Sequence, residues 1–165
     1  MQTFLPRKSM VDTMRCLDSL RLGKQRLEVL HIMRVLHGET TGYQHHPAVK
    51  MWAGYEGALL WYGRAACAEW VRRGGVDAIG ARLMADYPYP RDSPFPPWWG
   101  NKAMMETHRS NLVRKAPDYY DQHFPRVRAN LAYLWPRLLP NGGYVLGVSK
   151  ADARRIAIGE RVNPL

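Results

Sequence analysis

The chain has 165 residues, 46% of them hydrophobic, with six Trp, nine Tyr and a formal net charge of +10. That composition excludes a disordered tail and supplies enough apolar side chains for a buried core. The charge favours polyanionic partners, nucleic acid before anionic membrane, and the two cysteines, Cys16 and Cys67, stand at no zinc-ligand spacing and exclude a disulfide-built scaffold.

The opening Met1-Gln2-Thr3-Phe4-Leu5-Pro6-Arg7-Lys8 lacks the apolar core of a secretory signal, and no stretch is long enough to span a bilayer, so a cytoplasmic protein without membrane association is expected. Ser9, with Asp12 three residues on, predicts a helix N-cap. Asp18 or Ser19 caps a stronger helix running to about His37, where Gly38 supplies a left-handed stop. Its apolar positions Leu22, Leu27, Val29, Leu30, Met33 and Leu36 recur at helical spacing. Residues 39–46 read as a loop, and Pro47 opens a short turn of helix to Trp52 that Gly54 breaks. A long helix is predicted over residues 56–73, ending at Gly74-Gly75, and another over 76–85. From Asp86 to Gly100, the prolines at 88, 90, 94, 96 and 97 exclude a helix and predict a stiff, extended loop. A helix over 102–115 stops before Pro117, which starts a further short turn. Residues 151–158 read as a small basic helix. No repeat, heptad run or strand alternation stands out. The predicted fold class is mainly α, a compact single-domain helical bundle with long Pro- and aromatic-rich loops.

Within the second helix, Arg21, Lys24, Gln25 and Glu28 share one stripe, because residues three, four and seven apart lie on one face. A lone carboxylate among cations is what acid–base chemistry on a nucleic acid requires. Lys24 and Glu28 equally read as an ordinary i, i+4 ion pair worth ~0.2–0.5 kcal/mol. His45-His46 reads as a cap for the helix at Pro47, as a phosphate or base contact or, with no partner cluster visible, least well as a metal ligand. The segment Phe95-Pro96-Pro97-Trp98-Trp99-Gly100-Asn101 has the stiffness and flat side chains of a wedge for a base stack, and equally those of a hydrophobic clamp. Arg109, Arg114 and Lys115, with His108 beside them, read as a solvated face or, given the overall charge, as a surface that tracks phosphates.

Leu17-Asp18, Leu22 and Glu28, followed by Gly38-Glu39-Thr40-Thr41-Gly42-Tyr43-Gln44-His45-His46-Pro47, resemble the pyrimidine-dimer DNA glycosylase family. The helix ending Cys67-Ala68-Glu69-Trp70-Val71-Arg72-Arg73-Gly74 resembles the family's middle helix. The stretch from His108 to Tyr120 resembles its C-terminal helix and Pro-x-aromatic-aromatic turn, so the resemblance covers roughly residues 1–120. Arg21-Leu22-Gly23-Lys24-Gln25-Arg26 with Glu28, and Pro97-Trp98-Trp99-Gly100-Asn101, are similar to a phage and actinobacterial branch.

This resemblance implies a compact helical fold and a bifunctional glycosylase and abasic-site lyase. In that mechanism the N-terminal amine attacks the sugar C1′, forms an imine, and is assisted by a helix glutamate. Glu28 aligns with the glutamate and Met1 with the amine; bulky Gln2 disfavours trimming, so Met1 is expected to remain. An α-amine titrates at about 8, which leaves a useful neutral fraction at physiological pH. Lys24 is a second candidate amine, one turn from Glu28. Leu27 stands where the family has an arginine, and Arg26, one position earlier, lies about 100° round the helix. No metal or organic cofactor is implied.

The expected substrate is a damaged or modified pyrimidine in double-stranded DNA, in the cytoplasm of a bacterium or phage-infected host, with no obligatory protein partner. The alternatives are a different base-directed enzyme on the same scaffold, acting on phage-modified pyrimidines, and a non-catalytic nucleic-acid-binding protein. Residues expected on DNA are Arg21, Lys24, Gln25, Arg26, His46, Lys50, Trp98, Trp99, Asn101, His108, Arg109, Arg114 and Lys115. Residues 1–140 are expected to form the DNA-directed helical domain, and residues 141–165 a C-terminal extension to which the sequence assigns no role.

Overall fold

The structure, a computed structural model, describes residues 1–88 and 93–165; residues 89–92, within the run read as a stiff loop, lie outside the described residues. Among the described residues there are eight helices and one two-stranded sheet, so the fold is mainly α. No described helix is long and apolar enough to cross a membrane. The chain gathers into two compact units, the first made of Met1–Phe4 and Ser9–Pro96, the second of Leu5–Lys8 and Pro97–Leu165.

In the first unit, the Ser9 side chain accepts from the Asp12 N–H and opens α1 (Met10–Cys16), as the sequence predicts. The Asp18 carboxylate accepts from the Arg21 N–H and opens α2 (Ser19–Leu36), which ends at His37 with Gly38 in the left-handed region at φ 73°. The turn at Pro47 is shorter than expected, α3 covering only Pro47–Lys50. The next two helices are α4 (Glu56–Arg72) and α5 (Ala78–Asp86); α5 starts two residues later than predicted because Asp77 caps it through the Gly80 N–H. Cys16 and Cys67 are buried free thiols.

The core of this unit is the packing of α2 on α4. Leu22, Val29, Ile32 and Met33 of α2 and Leu59, Leu60, Tyr62 and Ala66 of α4 are all buried. Close approach depends on Gly63, where an added Cβ would lie 2.8 Å from Val29 Cγ1 and 3.3 Å from Leu83 Cδ1. A second tie closes α1. Arg73 donates to the carbonyls of Leu17 at 2.7 Å, Met14 at 3.1 Å and Arg15 at 3.0 Å, oxygens that a helix end leaves without intrahelical partners. Glu69 holds that guanidinium at 2.8 Å and is itself gripped by Arg72. The hydrogen bonds from Arg72, with those from Arg73, pull the Glu69 carboxyl down to about 2 against the opposing effect of burial.

The second unit is built on α6 (Lys102–Lys115), with Asn101 capping it through the Met104 N–H, and on the short α7 (Pro117–Tyr120). Here the sequence reading, which found no strand, is corrected. β1 (Trp135–Leu138) pairs antiparallel with β2 (Tyr144–Gly147), Trp135 opposite Gly147 and Leu138 opposite Tyr144. Each strand is too short to display an alternation, and Pro136 within β1 argues locally against a strand. Gly142, at φ 79°, closes the turn between them. The helix predicted at 151–158 is α8 (Lys150–Ala157). A parallel bridge joins Leu131 to Val162.

Two measurements check this packing. Alanine normally stabilises a helix over glycine by about 0.5–1 kcal/mol, but at Gly63 it meets the stiff, β-branched Val29. Gly63→Ala is therefore expected to lower stability by about 1–3 kcal/mol in urea denaturation. Glu69 is an acid with a depressed folded-state pKa, so its contribution is complete above the ordinary carboxylate value of 4.5 and lost as pH falls towards about 2. Glu69→Gln is expected to flatten that acid limb of a thermal-stability profile.

Candidate active site

Residues 1–4 pass beside α2 and α4 and are held there by buried polar groups. The Gln25 side-chain oxygen accepts the Phe4 N–H at 2.8 Å and meets the Tyr62 hydroxyl at 2.5 Å. The same hydroxyl lies 2.8 Å from the Phe4 carbonyl, and the Gln25 amide nitrogen donates to the Gln2 carbonyl at 3.2 Å. Trp52 Nε1 donates to the Thr3 hydroxyl at 3.0 Å. Gln25, Tyr62, Trp52 and Thr3 are at most 1% exposed, so these bonds fix the path of the first residues from inside the core.

The chain start consequently lies against α2. The Met1 amine is 3.9 Å from Glu28 Oε1. Both residues line an open cavity of about 410 Å³, completed by Lys24, Leu27, His31 and Tyr43. Burial raises the Glu28 carboxyl above the ordinary carboxylate value; the amine, a hydrogen bond from the Gln2 backbone, His31 and Lys24 oppose that rise in decreasing order. Among the described residues the carboxylate pairs with Met1, and the i, i+4 bridge from Lys24 does not form. His46 caps α3, its Nδ1 accepting the Ala48 N–H at 3.1 Å. Burial first, and then the charge of the Met1 amine, lower its pKa. Among the described residues no cluster of His, Cys, Asp and Glu has the arrangement of a metal site.

The remaining expected contacts divide clearly. Lys24 and Lys50 are exposed, and Arg21 is half-buried against Asp18 at 2.9 Å. Gln25 and Arg26 are corrections. Gln25 faces the core, and Arg26 reaches Asp77 at 3.3 Å with its guanidinium 4.2 Å over the Trp70 ring. The residue that turns to the cavity in place of Arg26 is Leu27, 54% exposed.

In the second unit, Trp98 is buried, which makes it the clamp of the two readings offered for that loop and removes it from any base stack. Trp99 donates to the Lys8 carbonyl at 3.0 Å. Asn101 is taken up by its capping bond and by a 2.9 Å bond to the Tyr144 hydroxyl. His108 is fully buried and accepts the Leu5 N–H at Nδ1, with burial pushing its pKa down to about 3, so it is a neutral core residue and not a phosphate contact. Arg109 donates to the Pro6 carbonyl at 2.8 Å, whereas Arg114 and Lys115 are exposed.

Two cavity residues escaped the sequence reading. His31 lies three residues beyond Glu28, so the stripe that named Glu28 extends to it. Tyr43 sits inside the quoted Gly-Tyr-x-x-His-Pro element without an assigned role.

An amine and a partly buried carboxylate thus share one open cavity on a helical unit. Residues 1–81 match the family model described as pyrimidine dimer DNA glycosylase, the family that the sequence resembles. That description makes the family one of DNA glycosylases, enzymes that act on DNA. No curated protein and no solved structure matches the chain.

The buried clamp on the first residues can be checked directly. Gln25→Leu leaves the buried Phe4 N–H without its acceptor and the Gln2 carbonyl without its donor, and a loss of about 1–3 kcal/mol is expected in urea denaturation. Hydrogen exchange at the Phe4 amide should accelerate in the same variant.

Proposed function

We propose that this protein removes a damaged or modified pyrimidine from double-stranded DNA and then cleaves the resulting abasic site, with the Met1 amine as nucleophile and Glu28 as its partner. The observation that carries this reading is the 3.9 Å separation of the two groups at the cavity. The neutral amine adds to the sugar C1′ while the bond from C1′ to the base breaks, its electron pair leaving on the base, which takes up a proton. Ring opening gives a protonated imine. The Glu28 carboxylate stabilises the positive charge that develops on the sugar, then removes a proton from C2′, and the 3′ C–O bond breaks with its electrons leaving on the phosphate. Water then hydrolyses the imine that remains, which frees the Met1 amine. Lys24, at the cavity, and exposed Lys50 supply positive charge for the backbone of the substrate.

A second reading, a different base-directed enzyme acting on modified pyrimidines, is favoured by one observation. Arg26 is occupied by Asp77 and Trp70, and Leu27 takes the cavity position beside Glu28. Mass spectrometry of nucleosides from treated DNA separates the two, since only a glycosylase releases free base.

Borohydride reduction during reaction with an abasic duplex is expected to trap a covalent adduct, and peptide mapping to place it on the Met1 nitrogen. Absence of any adduct or strand cleavage on irradiated and abasic duplexes alike overturns the lyase reading. Glu28→Gln should lower cleavage by about 10²–10⁴-fold while DNA binding persists. Glu28 must be ionised to act, and burial raises its pKa. Activity already falling as the amine protonates should therefore fall more steeply once pH drops through the raised Glu28 pKa, and this second step should be missing from the residual activity of Glu28→Gln.

A further inference from the structure

The positive charge of the chain is unevenly shared. The second unit holds thirteen Lys and Arg against five Asp and Glu, the first unit eleven against nine. The excess thus lies mainly outside the unit that carries Met1 and Glu28, and one arginine within it is anomalous. Arg161 is only 6% exposed, and its Nη1 is buried with no hydrogen-bond partner among the described residues. Nor, among the described residues, does any carboxylate stand at ion-pair distance from it. Asp152, also buried, accepts instead from the Ser149 hydroxyl at 3.0 Å, and Glu160 lies 3.7 Å from Arg155. A guanidinium keeps its proton in a protein, so it cannot escape the cost of burial by becoming neutral.

The fold adds two more arginines to this one. Val162 bridges Leu131, whose carbonyl accepts from the Asn111 side chain at 2.9 Å, and the Asn111 oxygen lies 3.5 Å from Arg114 Nη2 in the last turn of α6. Gly159, at φ 77°, ends α8, and the Arg161 N–H then donates to the Arg155 carbonyl at 3.3 Å. Burial and then the charge of Arg114 lower the Arg161 pKa; Asp152 and Tyr133 oppose this, and Arg155 adds to it. Arg114 and Arg155 are exposed, so the cluster opens to solvent through both.

We propose that Arg161, flanked by Arg114 and Arg155, binds a phosphate group of the backbone of double-stranded DNA, at a site that belongs wholly to the second unit. DNA as the source of the phosphate rests on the function proposed above; the affinity for a phosphate rests on the cluster alone. A phosphate oxygen gives the buried Nη1 its acceptor, and the planar fork of a guanidinium matches two such oxygens at once. The anion also offsets the mutual repulsion of three like charges. Such a contact carries no sequence information, so it holds the duplex without regard to which base is attacked.

The unpaired charge gives the test its sign. Arg161→Met keeps an aliphatic stem and drops the guanidinium. In buffer free of phosphate and sulfate it is expected to melt no lower than the parent chain, since a buried charge without a partner adds nothing to stability. Binding would be read by fluorescence anisotropy on an undamaged duplex, where no base is removed. Arg161→Met is expected to bind it about 10-fold to 100-fold more weakly, and its plot of log affinity against log salt to be shallower by about one phosphate contact. Arg155→Gln, which alters no buried side chain, should weaken binding in the same direction. Lys102→Gln, an exposed cation at the other end of α6 from Arg114, should weaken it far less. Equal losses from Arg161→Met and Lys102→Gln would mean diffuse attraction to a basic surface and overturn the site. So would parent-like binding by both arginine variants, or a lower Tm for Arg161→Met, the mark of a structural tie. Inorganic phosphate, compared with chloride at equal ionic strength, separates the other source. If it raises the Tm of the parent but not of Arg161→Met, while the two bind duplex alike, the site takes free phosphate and the DNA assignment falls. No readout needs turnover, so failure of borohydride trapping counts against the amine mechanism and leaves these comparisons intact.

Discussion

Everything at the cavity depends on one buried amide. Gln25 sits in the middle of α2 where an apolar side chain would be expected, and its cost of burial is met because its oxygen receives the Phe4 N–H and the Tyr62 hydroxyl while its nitrogen reaches the Gln2 carbonyl. The backbone of residues 1–4 has no helix or sheet to satisfy it. Without side-chain partners in the core it would have to remain in water, and the chain start would fray as most termini do. Gln25 converts a terminus into a fixed element, and it does so one turn before Glu28 on the same helix. The Met1 amine and the Glu28 carboxylate are thereby registered to a single helix, the kind of fixed geometry that a reaction between positioned groups needs.

The electrostatics follow from the same placement. Glu28 is withdrawn far enough from water to rise in pKa, yet the amine, the Gln2 N–H, His31 and Lys24 all pull the other way. A carboxyl balanced like this can exchange a proton in either direction, which an exposed, fully solvated acid does less readily near neutrality. The neighbouring arginine takes no part. Arg26 is packed against Trp70 and tied to Asp77, where its flat guanidinium links α2 to the cap of α5. Next to the carboxylate stands Leu27, so the cavity is less cationic than the run Arg-Leu-Gly-Lys-Gln-Arg implies.

How far the sequence discloses this can be stated residue by residue. The helices were legible because their caps and stops are local: Ser9, Asp18 and Gly38 act within a few residues of where they stand. Met1 came from the resemblance and Lys24 from helical periodicity, while Glu28 came from both. The misassigned residues share one cause. Gln25 and His108 look like surface groups by residue type, but each is buried and bonded to segments distant in sequence: Gln25 to Phe4 and Tyr62, His108 to Leu5. Composition and spacing along one helix carry no record of such partners. The hairpin of β1 and β2 was missed for a related reason, since strands of four residues gain their identity from the pairing and not from their own pattern.

The way the first eight residues are shared out has a consequence for how the molecule is made. Phe4 finds its acceptor in Gln25 and its carbonyl's neighbour in Tyr62, so its anchors emerge early from the ribosome. Leu5 and Pro6 find theirs only in His108 and Arg109, more than a hundred positions downstream. At a synthesis rate of about 5–20 residues per second, several seconds separate the two events. A nascent chain therefore passes through an interval in which residues 1–4 already have their anchors while Leu5 and Pro6 still lack theirs.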